Sequence, residues 1–297
     1  MSKLRDRVVL SRTCNLNDPM YESFFECPVI DFSNVTAFFE EHYVDSRAYA
    51  SIAKSFNQAP PFQTFWMESK ARLLHPELCT YGVFVRSLEF EQVKAELKGV
   101  PFERAPKWLL VGDIFDETSK RAYGPVFRIT LPVLDTGESA IVKGDPIVWA
   151  TDVATGLPVE GDAADVVLDM SAPMSLALTF MHCKGVTLVD NAPPAGLQKK
   201  HLRKHRDHVH PLVTYKTILI QPATRILSVE GSIEQQGMAK ALHICRGHFK
   251  HFGEDRPLFG KLSGTYWWPS HIRGLATAGV AVRDYRINPS SERNDAI

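Results

Sequence analysis

Between Phe62 and Ala150 the chain is written in short apolar runs broken by turn residues, and this punctuation narrows the possible folds more than any other feature. Phe62 to Met67, Tyr81 to Val85, Trp108 to Ile114, Val126 to Leu134 and Ile147 to Ala150 are rich in β-branched and aromatic side chains, with Gly, Pro, Asp or Lys between them. Such residues fit a pleated, half-buried surface, so each run reads as a strand. Asp135-Thr136-Gly137-Glu138 supplies a hairpin turn, and Gly144-Asp145-Pro146 and Gly156-Leu157-Pro158 supply further turns. A short helix, Phe90 to Leu97 closed by Gly99, interrupts the series. Later strands are expected at Val186 to Val189, Val213 to Ile220 and Ile226 to Val229.

Helical text lies on either side of this block. Ser33 is a helix cap, and Val35, Phe38, Phe39 and Tyr43 keep helical spacing in a stretch running to Lys54, before Pro60-Pro61 forbids continuation. Residues 1–32 read as a loose lead-in. Met170 to Met181 is apolar almost throughout but falls short of the roughly 20 residues a bilayer needs, so it reads as a buried helix. Asp162 to Asp169 before it fits a linker or that helix's first turns. No regular β-helix-β alternation occurs, which favours an α+β fold with a largely antiparallel sheet and a helical N-terminal segment. The expected organisation is residues 1–58 as that segment, 59–288 as the main α+β domain, and 289–297 as a frayed tail.

Charge restricts the function classes. The 34 basic and 34 acidic side chains cancel, so affinity for a polyanion must come from local clustering. The five cysteines are scattered, odd in number and never in a C-x-x-C pair, which fits a reducing compartment rather than a disulfide scaffold. The N-terminus has no uninterrupted apolar segment of the secretory kind, and the expected location is cytoplasmic, with no membrane partner. G-x-x-x-x-G-K-[ST], G-x-G-x-x-G, H-E-x-x-H and G-x-S-x-G are all missing, and nothing in the chain asks for a cofactor.

Two clusters attract a functional reading. Leu242 to Gly274 gathers His243, Arg246, His248, Lys250, His251, Lys261, His271 and Arg273 among Tyr266, Trp267, Trp268 and three phenylalanines. It reads as two antiparallel strands around a glycine-bearing loop, Gly253 to Gly264, with Pro269 marking an edge or a bulge. Two imidazoles with cations beside them suit metal-independent RNA cleavage. His248 and His271 are the acid–base candidates, Arg246, Lys261 and Arg273 the stabilisers of phosphorane charge, and Trp267 the stacking platform for a base. The second cluster, Gln198 to His210, holds five Lys or Arg and four His in thirteen residues. Lys199, Lys200, Arg203, Lys204 and Arg206 there are candidates for phosphate neutralisation.

Each reading has a plainer rival. Aromatics in a strand hairpin are most often core, and a charge run is most often a solvated loop. Cys245, His248 and His251 form C-x-x-H-x-x-H, with His271 as a fourth zinc-ligand candidate, but alternation along a strand sends Cys245 and His248 to opposite faces. Cys183 beside His182 reads as a buried small hydrophobe rather than a nucleophile.

Ala59-Pro60-Pro61-Phe62 with Phe65, Phe180 to Lys184, and His243 to His248 with Leu258-Phe259-Gly260 and Trp267 to Gly274 resemble segments of uncharacterised proteins common in phages and bacterial mobile elements. The resemblance implies a phage or mobile-element setting and transfers no residue role. The leading expectation is a nucleic-acid-binding protein, RNA favoured, with an RNA-cleaving hairpin. The alternative is a non-enzymatic regulatory protein that holds nucleic acid or a host or phage protein.

Overall fold

The computed structural model describes residues 3–11, 23–42, 56–71, 79–95, 97, 100–117, 124–142, 145–146, 149–204, 211–220, 243–245, 248–258, 260–268 and 271–273. Its centre is an eight-stranded sheet. Four long neighbours form an antiparallel meander: β2 (Thr64–Ala71), β3 (Cys79–Glu89), β4 (Trp108–Asp116) and β5 (Pro125–Val133). β1 (Val29–Asp31) lies parallel to β2 on one side and to β10 (Tyr215–Ile220) on the other. β8 (Trp149–Asp152) closes the β5 end, and β9 (Val186–Asn191) pairs antiparallel with β10 at the opposite end. β6 (Ile141–Val142) and β7 (Asp145–Pro146) make a separate short ladder. The fold is α+β with a mostly antiparallel sheet, the two ladders of β1 being parallel. β1 sits inside the sheet, so the N-terminal segment and the main domain share one sheet.

Strand alternation gives the sheet two packed faces. Phe65 and Met67 of β2, Tyr81, Val83 and Val85 of β3, and Ile129, Leu131 and Val133 of β5 face α2 (Ser33–His42) and α4 (Asp162–Met181). Trp66, Phe84 and Phe115 face the other way, against Leu4 and Val8 of α1 (Leu4–Ser11) and against Phe24. A third, one-turn helix, α3 (Phe90–Val93), follows β3 directly. The Trp66 indole lies over Gly82, where a Cβ would stand 2.1 Å from the ring, so only glycine fits.

α4 is longer than its apolar stretch implied. It takes in the acidic turns from Asp162 and runs through Pro173. It is the one helix among the described residues long and apolar enough to cross a bilayer, and 61% of that stretch is buried within the protein. Its polar residues serve packing. Ser175 donates to Gln58 Oε1 at 2.6 Å, and Gln58 donates its backbone N–H to Gly137 and its side-chain amide to Ser139. His182, just after the helix, hydrogen-bonds the Ala59 carbonyl at 2.7 Å, a structural duty. Cys183 is buried, and burial pushes its thiol up to about 12, which fits a packed small hydrophobe.

The α1 face differs in kind. Arg5, Asp6 and Glu68 are all buried there. Arg5 donates to the carbonyls of Phe24 and Phe25, and Glu68 accepts from the Arg5 backbone N–H and the Trp66 indole. Burial raises the Glu68 carboxyl, with Lys3 and the N–H groups at the start of α1 pulling against it. Burial raises Asp6 too, opposed by Arg5, the Val213 N–H and His201. Within the lead-in, Leu4–Ser11 thus form a helix whose inward side is partly ionic, a pattern that hydrophobic periodicity does not reveal.

Candidate functional site

The C-terminal hairpin forms as two ladders. β11 (His243–Cys245) pairs with β14 (His271–Arg273), and β12 (His248–Phe252) pairs with β13 (Gly264–Trp268), all antiparallel. His248 comes three positions after Cys245 and His271 three positions after Trp268, so the second ladder continues the register of the first without a slip. The expected pairing of these two strands is therefore present.

Its internal arrangement differs from the expected site. Phe249 and Trp267 are opposite each other, their rings 4.7 Å apart. Both pack on Phe180 of α4, and Trp267 also meets Phe38 of α2 edge-on at 5.2 Å. Trp267 is 9% exposed and belongs to the main core, which corrects its reading as a base-stacking platform. The same residue parity that pairs Trp267 with Phe249 turns the pair toward the sheet. Trp268, on the opposite side, is half-buried, with Lys250 Nζ 4.7 Å above its ring. Thr265 accepts the Lys184 backbone N–H, which fastens the hairpin to the segment after α4.

The candidate acid–base residues are not cross-strand partners. His248 is opposite Trp268, His271 is opposite Cys245, and Arg273 is opposite His243. Lys261 is exposed in the loop beyond Gly264, at the closed end of the hairpin. His271 lies seven residues past Gly264 toward the open end, on the order of 20 Å at a strand's rise per residue. The hairpin spreads Lys261 and His271 along its length instead of gathering them. Arg246 lies outside the described residues. His251 is exposed and its Nδ1 meets Thr265 Oγ1 at 3.1 Å. Among the described residues no three of His, Cys, Asp and Glu gather into a metal-binding group.

The basic cluster is where the structure adds most. The first part of the basic run, for which a solvated loop is the plainer rival reading, lies in a helix, α5 (Ala195–Lys204), directly after Pro193-Pro194, and residues 205–210 lie outside the described residues. Proline just before a helix costs no hydrogen bond, and Arg203 and Lys204 in the last turn suit the negative end of the dipole. Leu197, Gln198, His201 and Leu202 are half-buried on one side. Ala195, Gly196, Lys199, Lys200, Arg203 and Lys204 are exposed on the other, and no residue of the helix is fully buried. The inner side docks through Gln198 Oε1, which accepts the Leu212 N–H at 3.0 Å, and through His201, which lines a small cavity with Arg5, Asp6, Val9 and Leu10 of α1. The outer side carries four cations and no acid. An open, shallow groove of about 490 Å³ runs along the border between the two sides, lined by Ala195, Lys199 and Arg203 of the outer side and Gln198 and Leu202 of the inner one. Arg206, the fifth candidate, lies outside the described residues. The sequence signal for this helix was present in the proline pair and in the spacing of Leu197, His201 and Leu202, but two leucines among so many charges were too few to show a period.

No family model matches the chain, and no curated protein or solved structure matches it significantly. What the protein does must therefore be read from its own residues.

Proposed function

We propose that the protein binds nucleic acid, RNA in particular, through the outer side of α5, and that binding rather than cleavage is its activity. The observation that carries this reading is charge segregation on a helix. A chain whose 34 basic and 34 acidic residues cancel presents Lys199, Lys200, Arg203 and Lys204 together, on a docked helix that contains no acidic residue. Helical presentation fixes the cations at one- and four-residue spacings and reduces the ordering cost a loop would carry on binding a phosphate backbone. The hairpin gives less support to chemistry, because its histidines are in separate ladders and its tryptophan at position 267 is core.

Fluorescence anisotropy of labelled RNA against salt concentration tests the proposal. Wild-type affinity should fall steeply with salt. Replacing Lys199, Lys200, Arg203 and Lys204 by alanine should remove most binding and flatten the slope by about 0.7 for each single-strand phosphate left without its cation. Unchanged binding and slope in that variant defeats the assignment to α5. RNA incubated with the protein in EDTA should stay intact. Cleavage under those conditions that disappears in both His248→Ala and His271→Ala would make the hairpin a metal-independent nuclease site.

A further inference from the structure

The groove along α5 bears on which form of nucleic acid the helix takes. A duplex backbone offers phosphates to a convex row of cations and asks for no cavity. This helix has both. The two cations that line the groove, Lys199 and Arg203, are one helical turn apart, and between them and the docked side lie Ala195, Gln198 and Leu202. The lining is mostly hydrocarbon, made by the Ala195 methyl, the Leu202 side chain and the stems of the two cations. The groove is open and shallow, about 490 Å³ in volume, so it covers one face of a flat ring and leaves the other in water.

Resting on the nucleic-acid reading above, we infer that the groove holds an unstacked base of a single strand, while Lys199 and Arg203 hold the phosphates that flank it. An apolar floor beside paired cations matches the two halves of a nucleotide, a flat weakly hydrated ring and an anion. A fully paired strand keeps its ring faces stacked and cannot offer them. Gln198 adds a polar handle. Its Oε1 is occupied by the Leu212 N–H, and its side-chain NH2 donates to none of the described residues. Among the described residues it has no acceptor, and it suits the carbonyl or ring-nitrogen acceptors on a base edge. A purely acidic polypeptide such as polyglutamate would satisfy the cations but offers no flat ring to the hydrocarbon floor.

The test compares three labelled probes at equal salt: a short single-stranded RNA, the same RNA in a duplex, and an abasic strand with the same number of phosphates. The wild-type protein should bind the single strand roughly tenfold or more tighter than the abasic strand, the scale of one stacked base, and tighter than the duplex. Leu202→Lys separates the two binding modes further. Added charge should tighten binding if phosphates alone matter, whereas loss of the apolar floor should erase the preference for intact over abasic strand. Gln198→Glu should weaken the intact strand most. Both variants are checked for unchanged thermal unfolding, and the wild-type comparison stands without them. Equal affinity for all three probes overturns the groove inference and leaves phosphate binding in place. Failure to bind any probe overturns the nucleic-acid reading itself. Displacement of RNA by polyglutamate as effectively as by unlabelled RNA overturns it in favour of an acidic protein partner.

Discussion

Helix α4 buries Val167, Met170, Met174, Leu176, Leu178 and Phe180 against the sheet and its neighbours, while α5, half its length, fully buries no residue. α4 buries Met174, Leu176, Ala177, Leu178 and Phe180 in its last two turns and joins α2 and the C-terminal hairpin through one ring, Phe180. α5 leans on α1 and Leu212 by one side only and leaves its cations in water. Burial energy holds α4, so its sequence is tied to the fold. Little of the fold depends on the outward side of α5, so the choice of Lys, Lys, Arg and Lys there needs an explanation outside stability.

Four measurements put this contrast at risk. Phe180→Ala should cost about 3–5 kcal/mol in urea denaturation, the range for deleting a buried ring. It should leave RNA affinity intact while the protein is folded, and a cost below about 1 kcal/mol by the same measure would dissolve the claim that α4 is the pillar. Gly82→Ala should cost about 1–3 kcal/mol, because the new methyl meets the Trp66 indole at 2.1 Å and one of them must move.

The third measurement concerns the ionic α1 face. Glu68 and Asp6 are raised by burial, so the folded state holds their protons more tightly than the unfolded chain does. Their contribution to stability is complete below the unfolded carboxyl value, about 4, and is lost as pH rises through the raised folded values. Glu117 runs the opposite way. Burial opposes it, but Arg7 and Thr80 together lower it, so its contribution is present above the unfolded value and lost on acidification. Glu68→Gln should therefore raise the melting temperature at neutral pH and flatten the decline above about pH 4. A lower melting temperature confined to the pH range above the raised carboxyl value would show that the Glu68 charge itself holds the α1 N-terminus. The smallest stability effect belongs to α5. Alanine at Lys199, Lys200, Arg203 and Lys204 should shift unfolding by no more than about 0.5 kcal/mol per position while RNA binding collapses. A large loss of stability instead would make these side chains structural.

Legibility from sequence follows the same divide. The strands around Phe65, Val83, Leu110 and Ile129 and the buried run ending at Phe180 announce themselves, because tertiary packing there obeys the simple alternations of strand and helix. α1 was hidden because its inward residues include Arg5 and Asp6, and β1 because three residues cannot display a period. The pairing of the hairpin strands was readable from the loop glycines, but register was not. Only register decides that His248 meets Trp268, that His271 meets Cys245, and that Trp267 rather than Trp268 faces the core. The cations of the basic run were readable one by one. Their arrangement on a single helical face was not, since a helix held by Gln198 and His201 carries almost no apolar signature.

The position of β1 has a consequence for how the protein is made. The β2–β5 meander joins neighbours in sequence and is complete once residue 133 has been synthesised, so it can assemble early through short-range contacts. β1 pairs with β2 on one flank, but its other flank has no partner until Tyr215–Ile220 has been synthesised, and until then Val29, Ile30 and Asp31 border an unfilled sheet edge wherever β1 has docked. A nascent chain stalled before β10 exposes a parallel template in the middle of its future sheet. Late closure of that gap makes the C-terminal third the step on which vectorial folding and escape from self-association both depend.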